Sequence, residues 1–389
     1  MRHRNSLTVR RLLSRTVVAT VLLSATAACS GPAVDEPAGA GHAHPVIGSS
    51  TPTLRAGEQF VQLRMAAPYT PAPPERASDD YRCVVIDPDV QRPVFLTGVQ
   101  FQPQHAAMAH HAITFVVPPG AADTVRAMDD RAPGEGYTCF GMDGPVASST
   151  WVDTWTPGAT ETLLDGDLGY PMEPGSLLVV QIHYNLLGAD EHTVADQSSV
   201  RLRQSNGTAR TVPLDTLPLA APIELPCAAD ESGPLCDRAA AVADVNERFG
   251  TEIGARADWL LRMCGHGAPR PASRQTCDTP APGGVTVYAT RGHMHLLGRS
   301  IKVELNPGTP EAKILLDVPD FNFDDQALHV LPDPVTLESG DTLRTTCSFD
   351  VGLRKRLPQL RQLPARYVVW GEGTADEMCA PLLTVSPTT

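Results

Sequence analysis

At 389 residues the chain is longer than one hydrophobic core usually spans, so two domains are expected. Thirty-six prolines and 31 glycines, with 42% hydrophobic and 19% charged residues, suit turn-rich β structure and exclude a helical bundle or coiled coil. The net charge of −13, from 31 basic and 44 acidic residues, offers no positive field for a phosphate backbone and excludes nucleic acid as a partner.

The N-terminus reads as an export signal over residues 1–28. Arg2, Arg4, Arg10, Arg11 and Arg15 precede an uncharged run over 16–28, which is too short to span a bilayer and ends in small residues. Thr26-Ala27-Ala28-Cys29 resembles a bacterial lipoprotein cleavage box, with Thr where Leu is usual. On that reading Cys29 carries the lipid, and the exported protein meets the outer face of the cytoplasmic membrane only through it. The alternative is ordinary signal cleavage and secretion. Removing five arginines and no acid leaves 26 − 44 = −18. Residues 29–57 are rich in Gly, Ala, Pro and Ser and too poor in large apolar side chains to order themselves, so they read as a tether. Its His42 and His44 read as solvated.

From residue 58 short apolar or alternating segments recur between Pro, Gly, Asp and Asn clusters, at 60–65, 94–101, 112–117, 177–184 and 199–202. After a Pro-rich stretch the rhythm restarts at 285–289, 300–305, 312–318, 335–337, 342–349 and 367–370. The fold class expected is all-β, with two antiparallel β-sandwich domains at 58–210 and 211–389. Residues 239–263, interrupted by Gly250 and Gly254, form the strongest helical stretch and read as a helical insertion in the second domain. Setting Cys29 aside, eight cysteines remain: Cys83, Cys139, Cys227, Cys236, Cys264, Cys277, Cys347 and Cys379. An even count in an exported chain without CxxC spacing reads as up to four disulfides.

Five of the twelve histidines fall in three apolar segments: His110-His111, His183, and His293 with His295. Side chains two apart on a strand share a face, so His293 and His295 project together and make a chelate. By the same counting Arg291 joins their face, and Gln181 shares the face of His183. Adjacent His110 and His111 would point to opposite faces of a flat strand, and both can reach one ion only if the backbone bulges there. Taken singly, His183 reads as a hydrogen-bonded core residue and Met378 as an apolar residue beside a disulfide cysteine. Together, five imidazoles in apolar segments call for partners, since burial without them costs on the order of a few kcal/mol each. Three imidazoles suit zinc or copper, whereas two imidazoles with the Met378 thioether favour Cu(I). His105, five residues before His110, reads either as a neighbour of the site or as a surface residue, while His192, His266 and His329 have no spacing partner and read as structural. Asn206-Gly207-Thr208 is a glycosylation pattern expected to be fortuitous in a lipoprotein-like chain.

The succession His-His, Gln-x-His-Tyr, Arg-x-His-x-His followed by Leu-Gly, and Asp-Glu-Met-Cys resembles the copper type II, ascorbate-dependent monooxygenases over about residues 58–385. The resemblance implies two jelly-roll-like β-sandwiches whose coppers face each other across a solvent-filled cleft. It implies that His110, His111 and His183 hold the electron-transfer copper. His293, His295 and Met378 would hold the copper at which O2 reacts and the C–H bond is cut. It also implies the pairs Cys83–Cys139 and Cys347–Cys379; the remainder suggests Cys227–Cys236 and Cys264–Cys277. Two copper ions, O2 and ascorbate or an equivalent one-electron donor follow as cofactors and co-substrates. Putting one oxygen atom into substrate and the other into water takes two electrons beyond those of the C–H bond, one from each copper.

Arg291 matches the position of a substrate-carboxylate arginine in the peptide-hydroxylating relatives, and Gln181 a glutamine beside the electron-transfer copper. Ala380, Pro381 and Leu382, however, follow Met378-Cys379 where those relatives carry Asn and Tyr. The substrate expected is therefore a small organic or peptide-like molecule of unspecified identity. A non-catalytic copper-binding lipoprotein on the same fold is the alternative. A zinc hydrolase with a three-histidine site leaves His293, His295 and Met378 unexplained.

Overall fold

A computed structural model describes residues 53–73, 78–142, 144–186 and 194–388. The export signal, Cys29, His42, His44, His192 and most of the tether lie outside these residues. The fold is all-β, and among the described residues all but one of the strand ladders are antiparallel. Glu58–Arg64, Ser199–Ser205, Val94–Gln102, Leu168–Met172 and Val212–Pro213 line up in that order in one sheet. Tyr137–Thr138, Asp79–Ile86, Leu177–Asn185, Ala109–Val117 and Thr150–Trp155 make a second sheet that shares a core with the first. Among the described residues, the strands after Pro213 find partners only among themselves. Asp215–Pro218, Leu382–Pro387, Val285–Arg291 and His329–Leu337 form one sheet, and Arg274–Pro280, Thr342–Phe349, Gly298–Leu305 and Lys313–Val318 another.

The second sheet positions the site because both of its faces are covered. Every residue of Leu177–Asn185 is buried. Its even-numbered side chains Leu178, Val180, Ile182 and Tyr184 enter the core beneath the first sheet. Leu177 and Val179 instead join a second apolar cluster shared with Met294, Leu382 and Leu383 of the C-terminal half. Strand periodicity carries Gln181 and His183 onto that same outer face. Ile113 and Phe115 do the same for His111, and Cys83 and Tyr81 for Asp79. The histidine-bearing face is thus packed into a core continuous with the C-terminal half.

The helical insertion is a pair of helices, Arg238–Phe249 and Thr251–Met263, broken at Gly250, whose φ of +91° favours glycine. Gly254 does not break the second helix; a Cβ there would lie 1.9 Å from Asn246 Oδ1, so it serves close packing. The disulfides Cys83–Cys139, Cys227–Cys236, Cys264–Cys277 and Cys347–Cys379 all form, and two of them bracket the helices. Helix Pro119–Asp130 is an addition to the sequence expectation, which had helix only in the second half. Strand Asp79–Ile86 also escaped the apolar rhythm, because its polar side chains are buried against distant partners: Asp80 accepts from Tyr69 Oη at 2.6 Å and Arg82 donates to the carbonyl of Glu135 at 2.6 Å. Among the described residues no helix is long and apolar enough to cross a membrane.

Candidate metal centre

The pairing of Ala109–Val117 with Leu177–Asn185 sets Ala109 opposite Tyr184 and His111 opposite His183, so the register skips His110. That is the bulge two adjacent histidines need to serve one point. His110 Nδ1 and His111 Nδ1 lie 3.3 and 3.4 Å from His183 Nδ1. On its other edge His183 Nε2 contacts Asp79 Oδ1 at 2.8 Å, where the ring proton is used, leaving a lone pair on Nδ1. The Tyr81 ring stacks on His183 with centroids 4.1 Å apart, and its hydroxyl donates to the carbonyl of Glu372. The Tyr81 proton is therefore not directed at His183 Nδ1, which lies 3.0 Å from the hydroxyl oxygen. Burial, followed by the neighbouring His183, holds His110 and His111 well below the usual imidazole pKa. Neutral rings crowding their Nδ1 atoms together are poorly solvated and mutually unfavourable, and a cation among them relieves both problems.

His293 and His295 do not lie within a strand as periodicity predicted. The strand ends at Arg291, and the histidines follow in an extended segment where His293 exchanges backbone hydrogen bonds with Ala380 at 3.1 and 3.0 Å. Gly292 makes this route possible, since a Cβ there would lie 2.6 Å from Ile301 Cγ2. The two rings still turn together, with centroids 5.4 Å apart. His293 Nδ1 donates to Gln326 Oε1 at 2.7 Å, whose orientation is set by Gln326 Nε2 donating to the Phe323 carbonyl at 2.9 Å. His295 Nδ1 meets the carbonyl of Asp376 at 3.2 Å. Both rings thus present an Nε2 lone pair, and His295 Nε2 is buried without a hydrogen-bond partner. Burial is the leading cause that brings His293 down to about 4 and His295 down to about 3. An orphaned acceptor in a cavity that a thioether also lines is what a soft metal satisfies.

His111, His293, His295 and Met378 line one small cavity with Tyr81, Gln181 and Glu372. The rings of His111 and His293 are 5.6 Å apart. The solvent-filled cleft expected between the two ligand sets is therefore replaced by contact. The reason is the apolar outer face of the second sheet, which the C-terminal half covers. His111, His183, His293, His295 and Met378 are each 1–3% exposed, while His110 is half-buried with Phe323 stacked on it at 4.5 Å.

Gln181 lines this cavity, with Nε2 directed at the Gly141 carbonyl at 3.5 Å. Arg291 does not. The face-sharing expected of it assumed a strand running through His295, and the strand ends at Arg291 itself. Its guanidinium donates to the Thr154 carbonyl at 3.1 Å and Thr162 Oγ1 at 3.0 Å, lies 3.6 Å from Asp153 Oδ1, and lines a separate cavity with Tyr170, Thr216 and Thr384. Sequence spacing did not reveal Asp79, Tyr81, Phe323, Gln326 or Thr374. Only the alternation Asp79-x-Tyr81-x-Cys83, once anchored by the disulfide, could have put Asp79 and Tyr81 on the site face.

Residues 272–384 match the sequence profile of the copper type II ascorbate-dependent monooxygenase C-terminal domain. That span contains His293, His295 and Met378; the three-histidine set lies outside it. Among curated proteins, the DBH-like monooxygenase protein 1 of Gallus gallus is 31% identical over 107 residues, 27% of this chain and 16% of the relative. The Homo sapiens protein of the same name is 29% identical over 114 residues, 29% of this chain and 17% of the relative. The matched stretch is thus a small part of these longer relatives. Among solved structures, the major capsid protein of bacteriophage PM2 covers 85% of this chain and 98% of its own at 10% identity, but with a TM-score of 0.30 it bears on neither fold nor function.

Proposed function

We propose that the chain is an exported copper-dependent monooxygenase that hydroxylates a C–H bond of a small organic or peptide-like substrate, drawing electrons from ascorbate or a similar donor. One observation carries the reading. Two groups of candidate ligands from distant parts of the chain, His110, His111 and His183 and then His293, His295 and Met378, lie against each other through the His111 and His293 rings, with the protons of His183, His293 and His295 engaged elsewhere so that their lone pairs face inward. The profile match over 272–384 supports the family for the half that carries the thioether. Three imidazole Nδ1 atoms, from His110, His111 and His183, would hold one copper, and His293, His295 and Met378 the other. When bound, copper supplies one-electron steps and reaction with O2.

The protein's own part is orientation and exclusion of water. Asp79 holds His183, Gln326 holds His293, the Asp376 carbonyl holds His295, and the apolar face around Ile113, Met142 and Trp151 keeps the cavity dry. Arg291, occupied by Asp153 and two threonines, gives little support to a substrate carboxylate beside the His293–His295 pair. Four disulfides fit an oxidising compartment, and lipidation of Cys29 would hold the protein at a membrane. The enclosure of five of the six ligands favours one second reading, a copper-binding protein without turnover. Copper content by mass spectrometry and O2 uptake under ascorbate, on wild type and Met378→Ala, test both. Two coppers per chain, with the variant losing uptake but keeping the three-histidine copper, supports the enzyme. Two coppers without uptake supports the second reading, and one metal indifferent to the substitution makes Met378 a core residue and defeats the enzyme.

A further inference from the structure

The segment 371–378 brings Met378 to one ligand set, yet its middle reaches the other. Thr374 Oγ1 donates to Asp79 Oδ1 at 2.6 Å, and the Thr374 backbone N–H approaches Asp79 Oδ2 at 3.4 Å. The same Asp79 Oδ1 takes His183 Nε2 at 2.8 Å and Asn185 Nδ2 at 2.8 Å. Asn185 Nδ2 in turn donates to Thr374 Oγ1 at 2.6 Å. Asp79, His183 and Thr374 are each at least nine-tenths buried, so no water competes for these positions. Two residues before Thr374, the Glu372 carbonyl accepts the Tyr81 hydroxyl, whose ring stacks on His183.

We propose that Asp79 and Thr374 are positioning residues that couple the two ligand sets. Thr374 fixes the rotamer of the Asp79 carboxylate, and the carboxylate fixes the tautomer and ring plane of His183. The placement of the segment that carries Met378 is therefore transmitted to the first set. Neither residue reaches a reacting atom. The chemistry is that of a hydrogen-bonded carboxylate behind a metal-binding imidazole, where the outer partner governs how well the ring is presented. The unusual feature is that the carboxylate and the residue that locks it come from opposite halves of the chain, 295 positions apart. As a statement about metal sites this rests on the copper reading above; as a statement about His183 it does not.

The test uses the full chain and two nearly isosteric variants, Thr374→Val, which removes the hydroxyl, and Thr374→Ser, which keeps it. In metal-free protein, nitrogen-15 spectra of the His183 ring report whether Nε2 carries the proton. In copper-loaded protein, copper titration and the electron paramagnetic resonance hyperfine pattern report the three-histidine site. Thr374→Val is expected to blur the Nε2–H tautomer, weaken copper at the first set about tenfold or more, and shift its hyperfine splitting, with Thr374→Ser restoring all three. A Thr374→Val protein indistinguishable from wild type in tautomer and hyperfine pattern would overturn the coupling. If wild type takes up no copper the monooxygenase reading fails, while the tautomer comparison still decides the positioning role. Should Thr374→Val not fold, Thr374→Ala is measured in the same way; a normal His183 tautomer there overturns the proposal equally.

Discussion

Three of the site histidines, His183, His293 and His295, do two things at once, spending one nitrogen on the protein and offering the other to the site. For His293 the spent nitrogen goes to Gln326 and for His295 to the Asp376 carbonyl. Gln326→Leu removes the acceptor at similar volume and lets the ring turn over. Copper at the His293–His295–Met378 set should weaken by about 10- to 100-fold, while the three-histidine spectrum stays unchanged; equal weakening of both sets would mean the residue acts through general packing. The buried imidazoles also set a pH expectation. An ordinary imidazole titrates near 6.5, so protons compete with metal below that pH. With His293 near 4 and His295 near 3, both rings are already neutral at pH 5 and remain available to metal. Copper at that set should survive dialysis down to about pH 5 and leave only as pH approaches 4. Loss centred on pH 6.5 would show that the rings are solvated in the working protein.

The helical pair is an element whose value lies at its inner end. Arg248, in the last turn of Arg238–Phe249, donates through both terminal nitrogens to Asp376 at 2.8 and 2.7 Å, and its Nε to Asp244 at 2.9 Å; Arg366 bridges the same two acids. Burial pushes the Asp376 carboxyl up, but Arg248 and Arg366 together hold it below the usual carboxylate range. The insertion thereby anchors the segment whose carbonyl orients His295 and whose thioether belongs to Met378. Arg248→Met leaves a buried carboxylate with one partner fewer, and loses the guanidinium stacked over Phe249 at 4.6 Å. Denaturant unfolding should show a loss of about 3 kcal/mol. A change within experimental error would mean that Arg366 alone suffices. The bulge at His110 is the other decisive element, since it lets two consecutive residues serve one point while the rest of the strand keeps its alternation.

Across the whole molecule, the two ligand sets belong to different halves yet meet where His111 of the first set lines one cavity with His293, His295 and Met378 of the second. With the His111 and His293 rings 5.6 Å apart, paramagnetic ions held by the two sets would act on each other. Loading both sets with Cu(II) should broaden the resonance spectrum and bring its integrated intensity below the copper content. His293→Ala should restore a full, narrow signal from the first set. Two independent narrow signals in wild type would mean that the halves part in solution.

Much of this was legible in the residues. Strand period places Gln181 with His183, adjacent histidines demand a bulge, and an even set of cysteines in an exported chain forms bonds, because each of these depends on local backbone geometry or on covalent chemistry. The segment 79–86 and Arg291 were not legible in the same way. Asp79 lies in a strand because partners more than a hundred residues away satisfy it, and Arg291 turns aside because the strand happens to stop there. Period two tells which side chains share a face and is silent about what that face meets. The residue types and their local spacing were the sequence's to determine. That the two ligand sets touch, and that Thr374 reaches Asp79, was decided only when the apolar outer face of the second sheet was buried against the C-terminal half.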